Sequence, residues 1–426
     1  DWRVDGLDEN WPAPTQSDIE LTDAQKKIVQ RNAALLLDRD AWSAHVTRFE
    51  NELEKIDDEV ARGQERAAYS IRFDRHSFAD SDLDFRSFQF PCSISFSNTR
   101  FGEGTVSFIN ARFGKGTVWF EQASFGEGDV SFYHASFGEG TVSFNNVTFG
   151  KGDVWFVDFQ LNSSTMSAPD MVVEGNLFVQ SNFDRAVNFQ RLEVKGTADF
   201  SDSTFAEIPD FRDVKLDRPP EVARMVVPQP KLTHFLKSGE RSVSIDRKWF
   251  KHSVDRYDVA KYRQLKAMAL AANDHEKDGE FFAYEMLAKR GFETQGFWNL
   301  LFNTLYHQLS NFGQSFARPM AWMFVSFLIF AFVYFQMIGD RLTGLAKLWF
   351  AVEYSARSAV PLFGSLFRFA LRPKDHATHF ETQFLILKES HAPIDAMIWL
   401  AFAQNIIGVV LLFLFFLGLR NKFRLK

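Results

Sequence analysis

The chain has 426 residues, a formal net charge of -6, 46% hydrophobic residues and one cysteine, Cys92. That length and apolar content allow two or three domains with separate cores. A single cysteine excludes an intramolecular disulfide framework and fits a reducing compartment, with Cys92 expected at an inward position as a small hydrophobe.

Residues 1–66 read as an N-terminal helical cap. Asp1 to Glu20 is acidic and polar and does not resemble a secretory signal. Thr22-Asp-Ala-Gln25 fits a capping box, and Gly63 suits the far end of the same helix. Between them Leu35, Trp42, Val46, Phe49, Leu53, Ile56 and Val60 form an apolar seam at three-and-four spacing. The seam either covers the open end of the following domain or pairs with the same helix of another subunit. Unpaired strand edges favour the cover.

Residues 67–217 are repetitive. FGEGTVSFINAR from Phe101, FGKGTVWFEQAS from Phe113, FGEGDVSFYHAS from Phe125 and FGEGTVSFNNVT from Phe137 share one design. Their apolar positions come in i, i+2 pairs such as Val106 with Phe108, which places both side chains on one face of a very short strand. A single unit is too short a circuit to enclose these rings, so two units make one coil of roughly two dozen residues with four short sides. Downstream, Phe178, Phe189, Phe200 and Phe211 continue the inward series with shorter spacers, as do Phe183, Val194, Phe205 and Leu216. Upstream, Phe73, Phe78, Leu83 and Phe88 do the same. The glycines are expected at corners, supplying positive φ. None of the Gly-x-Gly pairs ends in Lys-Ser/Thr or leads into a helical pattern, so they are not phosphate loops.

A small residue two positions before a large apolar one, repeated every five residues, resembles the pentapeptide-repeat family, with two-residue Gly-x-Gly-x expansions that its usual pattern lacks. The resemblance implies a right-handed quadrilateral β-helix with a stacked phenylalanine interior, and the 49 phenylalanines of the chain fit it. Trp119 and Trp155 occupy the middle position of Val-x-Phe pairs, where neighbouring units place Ser107, Ser131 and Ser143. They are the aromatic candidates for a protein-partner surface.

Residues 218–318 read as a linker and helical hairpin. Arg218-Pro219-Pro220 through Pro230 is expected to end the coil. Helices follow at about Tyr257 to Asn273 and His275 to Arg290. His275, Glu276, Glu280 and Glu285 have ligand chemistry, but acidic residues near a helix N-terminus are favourable in themselves, and a solvated face is the expectation.

Residues 319–426 form a two-span module. Pro319 to Ile338 and Ala396 to Leu419 carry no formal charge and are long enough to cross a bilayer core of roughly 30 Å. Arg318 and the basic tail Arg420-Asn-Lys422-Phe-Arg424-Leu-Lys426 place the N-terminal part and the tail together in the cytoplasm. Between the spans, residues 345–369 are amphipathic and suit a re-entrant pore helix followed by a Pro361-Leu-Phe-Gly364 turn. Span, re-entrant helix, span resembles the channel-like module of some bacterial inner-membrane pentapeptide-repeat proteins. No Thr-Val-Gly-Tyr-Gly filter is present, so potassium selectivity is not implied. Glu353, Ser355, Arg357, Ser358 and Pro361 are the candidates for the pore mouth, with Arg357 favouring anions. Gln404 and Asn405 line either a helix interface or a pore, and Gly408 is either a gating hinge or a close-packing site. His376, His379, Glu381 and His391 lie in the same connection without a ligand-set spacing.

Enzyme signatures, cofactor motifs and a defined metal set are absent from the sequence. The expected fold is therefore mixed: a β-helix with an N-terminal helix, a helical linker and a two-span α-helical transmembrane domain. The first functional expectation is a homo-oligomeric ion channel or pore in the lipid bilayer, tetrameric by analogy with two-helix channels and gated through a cytoplasmic β-helix. The alternative is a membrane-anchored scaffold whose β-helix binds an unidentified protein. A DNA-mimicking inhibitor is disfavoured by the anchor, and nucleic acid is not an expected partner.

Overall fold

The computed structural model describes residues 20–56, 58, 70–162, 164–233, 250–339, 342, 344–359, 387 and 393–423. The chain forms two compact units, Asp1–Lys231 with Val254–Ala288, and Leu232–Ser253 with Lys289–Lys426.

The first unit is a parallel β-solenoid of about six turns. Its strands stack in register along four sides, so each coil passes every side once before the next coil begins. Val106 pairs with Val130 and Val130 with Val154 on one side, while Phe90 pairs with Phe113 and Phe113 with Phe137 on another. Partners lie 24 residues apart in the regular coils, as in Glu127 and Lys151, and 21 apart near the end, as in Asp170 and Arg191. Two sequence units thus make one coil.

The inward phenylalanines form columns along the coil axis. Phe101 stacks on Phe125 at 4.3 Å between ring centroids, and Phe125 on Phe149 at 4.8 Å. Phe108, Phe132 and Phe156 form a second column at 5.0 and 5.1 Å. Within a coil the rings meet edge to face, as Phe108 and Phe120 do at 81°. Parallel offset rings between coils and perpendicular rings within a coil are both favourable quadrupole arrangements.

The corners are not built as expected. Two residues after every second inward phenylalanine of the regular coils the chain turns through left-handed backbone occupied by non-glycine residues, Asn98, Asn110, Gln122, His134, Asn146 and Asp158. Asn and Asp tolerate that region because their short polar side chains bond locally. Most glycines of the Gly-x-Gly pairs have ordinary φ and serve close approach instead. A Cβ on Gly126 would lie 2.2 Å from the Gly102 carbonyl oxygen, and one on Gly150 would lie 2.2 Å from that of Gly126. Backbone stacks directly on backbone there.

Two further expectations shift. Phe178 faces outward, because Leu177 and Val179 take the buried positions of its strand; one residue of spacer reverses every side chain. The proline-flanked segment also continues the coil: Glu221 bridges to Asp199, Val226 bridges to Thr204, and Val222, Met225 and Val227 are buried.

Helices close both ends of the solenoid. The expected single N-terminal helix is two, α1 (Asp23–Leu37) and α2 (Arg39–Glu54). The Thr22–Gln25 capping box starts α1, and Asp38 ends it by accepting from the backbone of Asp40 and Ala41 to cap α2. Gly63 lies outside the described residues. Trp42 rests on Phe73, Phe88 and Phe90, and its indole donates to the Gln89 carbonyl at 3.0 Å. Asn32 donates to the Arg72 carbonyl and Arg39 to that of Arg86. These carbonyls belong to the first coil, so the seam of α1 and α2 covers it and satisfies edge groups. Cys92 is buried against Phe49 and Leu53. At the other end α3 (Asp258–Ala271) and α4 (His275–Ala288) bring Val259, Tyr262, Leu265 and Phe281 into the same core, and Tyr262 donates its hydroxyl to the Pro228 carbonyl.

In the second unit, α5 (Phe297–Ser310) precedes two long apolar helices, α6 (Ala317–Ile338) and α8 (Ile394–Lys422), with α7 (Gly344–Ala359) between them in sequence. Both α6 and α8 are long and apolar enough to cross a membrane. Most of their surface is not covered by the rest of the chain: Phe324, Leu328, Phe332, Phe402, Ile406 and Phe413 are exposed.

Candidate functional site

The polar residues of the second unit converge on one node. Gln404 of α8 is fully buried; its amide nitrogen donates to the Ser355 carbonyl at 3.0 Å and to the Ser355 hydroxyl at 2.9 Å. Its amide oxygen accepts from the Tyr334 hydroxyl at 3.1 Å. Ser355 donates in turn to the Phe327 carbonyl of α6 at 2.8 Å. Three helices are therefore tied through one amide in apolar surroundings, where leaving any of these groups unpaired is costly. Gln404 and Ser355 line a helix interface within this chain. Tyr334 was missed in the sequence, although a buried hydroxyl near the end of an apolar helix needs a partner as much as an amide does.

The other candidates separate. Gln404, Gly408, Leu411 and Leu414 lie on the buried stripe of α8, so Gly408 sits at a close-packing position. Asn405 is only half-buried, and its side chain hydrogen-bonds to no described residue. Arg357 forms an ion pair with Glu353 one turn earlier on α7. Ser358 bonds back to the Tyr354 carbonyl at 2.8 Å. Pro361 lies outside the described residues, as do His376, His379, Glu381 and His391.

On the solenoid, Trp119 and Trp155 are both half-exposed and stand on different sides. Trp119 is in register with Ser95 and Ser143, whereas Trp155 follows Ser131 and stacks on Phe178 at 5.9 Å and 9°. They do not form one patch. A third side carries a polar groove of about 630 Å³ lined by Ser87, Gln89, Asn110, Arg112, His134 and Gln160. Gln89 and Arg112 are outward neighbours in one ladder, as are Ser136 and Gln160. The signal for it was present: outward polar residues, Gln89, Arg112, Ser136 and Gln160, recur one coil apart on that side.

Acidic side chains elsewhere on the solenoid are paired from coil to coil. Lys151 meets Glu127 at 2.7 Å, Lys195 meets Glu174 at 2.6 Å, and Arg191 meets Asp170 at 2.6 Å. Opposite charges in neighbouring coils offset like-charge stacking at these positions, whereas Glu103 with Glu127 and Asp129 with Asp153 stay stacked acid on acid, each carboxylate accepting from the backbone N–H one coil on. Glu285, one member of the acidic helix cluster, is buried and ion-paired to Arg263 and Lys266. Glu280 accepts from Lys277 and from the Tyr284 hydroxyl.

In comparisons with known proteins the chain matches no family model, no curated protein and no solved structure.

Proposed function

We propose that this chain is one subunit of a homo-oligomeric membrane pore controlled through its cytoplasmic β-solenoid. The observation that carries the reading is the seating of α7 against both long apolar helices by the Tyr334–Gln404–Ser355 node. A long helix, a short helix fixed against it and a second long helix are the parts of a two-span channel subunit. A single copy surrounds no pathway, so the reading requires a closed ring, with four subunits as the analogue. The basic ends at Arg318, Arg420 and Lys422 support a cytoplasmic placement of that end.

Single-channel current from the purified full chain in planar bilayers with asymmetric salt tests this. Discrete steps from the wild-type chain that Asn405→Leu alters or silences support the pore; silence of the wild-type chain across voltage, pH and tension refutes it.

The solenoid groove favours a second reading, a membrane-anchored scaffold for a protein partner. Its open side chains, Gln89, Arg112, His134 and Gln160, suit hydrogen bonding to a polar segment. Affinity capture with the full chain, compared with an Arg112→Glu, His134→Ala variant, decides it. A partner lost in the variant supports the scaffold, and identical capture removes the groove from it.

A further inference from the structure

The cytoplasmic end assigned above carries cations without counterions. Arg290, Arg318 and Arg420 form no ion pair with any described residue. Arg290 is buried, with its Nε donating to the Asn303 side chain at 2.6 Å, and burial lowers its pKa to about 10. His307 is held neutral, its pKa lowered to about 4 by burial and by the charges of Arg290 and Arg318. Arg318 anchors one guanidinium nitrogen on the His307 carbonyl at 3.0 Å, which fixes α5 against the start of α6.

One helical turn beyond Arg318, Trp322 donates its indole N–H to the Gln308 carbonyl at 3.3 Å. From there an apolar groove of about 340 Å³ runs between α6 and α8, lined by Leu309, Trp322, Val325, Ile329, Ile406 and Val410. Apart from Ser326 its lining is apolar, and an aromatic N–H marks its upper edge, as at a bilayer interface. On α5, Trp298, Phe302 and Leu305 form an exposed apolar face at four-and-three spacing, as an interfacial helix does.

We infer that the groove between α6 and α8 is a binding site for one anionic phospholipid, its acyl chain between Ile329 and Ile406 and its phosphate at Arg318. Charge complementarity selects the occupant: an apolar slot alone accepts any chain, but one whose edge residue Trp322 lies one helical turn from the exposed, unneutralised Arg318 retains an acidic headgroup. The site rests on the membrane placement proposed above and not on conduction.

Native mass spectrometry of the full chain, released from membranes into mild detergent, tests the site against phosphatidylglycerol, phosphatidylcholine of the same acyl chains, and glycerol phosphate. The expected result is one phosphatidylglycerol per chain, preferred over phosphatidylcholine by about fivefold. Arg318→Gln abolishes the preference, Arg318→Lys keeps most of it, and Ile329→Trp removes the bound lipid. A thermal melt run beside each variant identifies any that has lost its fold, and Val410→Phe then replaces it. Equal retention of the two lipids, undiminished lipid in both groove-filling variants, or equal binding of glycerol phosphate overturns the assignment. Alkaline extraction separates the two failures: a chain washed off the membrane refutes the membrane placement itself, whereas a retained chain without lipid preference refutes only the site.

Discussion

Replacing Gly126 by alanine tests whether the repeat glycines serve turning or close approach. Gly126 has no positive φ, so alanine meets no backbone penalty there, yet its Cβ would sit 2.2 Å from the Gly102 oxygen and 2.6 Å from the Glu103 Cα. Ordinary contact begins at 3.4 Å, and the obstacle is backbone, so the coils must part by about 1 Å locally. That movement strains the Gly126 N–H bond to the Gly102 carbonyl, now 2.9 Å. Overpacking of about 1–3 kcal/mol and a weakened hydrogen bond of about 1 kcal/mol give a cost of about 2–4 kcal/mol. Asn146→Ala is the contrast: its φ of 56° stays left-handed and its amide bond to Pro169 is kept, so the cost is about 1 kcal/mol, and Asn146→Gly costs close to nothing. Hydrogen exchange of the full chain reads these as local opening. Amides around Gly102 and Gly126 in Gly126→Ala should lose protection by roughly 30-fold or more, against about fivefold around Asn146 in Asn146→Ala. Equal effects of the two alanines, or an Asn146→Gly variant as unstable as Gly126→Ala, would refute the assignment of glycine to contact and asparagine to turning.

Trp42→Ala removes the ring that closes the first coil and should cost about 3–5 kcal/mol, with exchange protection lost first in residues 70–100 and kept near the other end. Gln404→Leu leaves the Tyr334 and Ser355 hydroxyls short of a partner and should destabilise the helical unit by about 1–3 kcal/mol, read as a lower melting temperature in detergent; Asn405→Leu should leave it unchanged. Asp258 is buried at the start of α3, with Lys261 at 3.7 Å, and burial raises its pKa to about 6. Because the folded value lies above the unfolded one, the fold favours the protonated acid: the stabilisation is complete below about pH 4 and is lost as pH rises to about 6. Asp258→Asn should therefore be more stable than wild type at pH 7.5, by at most about 3 kcal/mol, and the difference should vanish at pH 4 in thermal melts.

What the sequence made legible was periodic. The inward phenylalanines, the four-sided coil, the capping box at Thr22 and the two long apolar helices each repeat or extend a local rule, so spacing alone located them. Departures arose where one residue decides a direction. Asp38 competes for helix ends through its carboxylate and splits a seam whose apolar spacing is continuous across it. Phe178 is large and apolar, but the strand pairing of Leu177 with Val154 sets which face points inward, and Trp155 supplies an outward partner. Val222 and Val227 carried the coil onward although prolines flank them, because prolines at corners interrupt no ladder hydrogen bond. For the helical unit, adjacent polar residues were visible while their directions were not.

Those directions constrain any pore of the kind proposed for this chain. Successive residues of a helix point about 100° apart, so burying Gln404 against Ser355 turns Asn405 away from the subunit's own core. Asn405 shares its stripe with Ala401, Val409 and Leu412, none of them polar. In a ring of subunits with that stripe facing the axis, the wall is apolar except for one belt of amides. A constriction of that kind closes by losing its water rather than by steric block, and the amide belt sets how readily water returns. Asn405→Asp should then raise open probability at symmetric salt and add cation preference, while Asn405→Leu should silence the pore with assembly intact. If instead Gln404→Leu abolishes current in a ring that still assembles and melts normally, the node opens during gating and the α8 stripe named here is the wrong one.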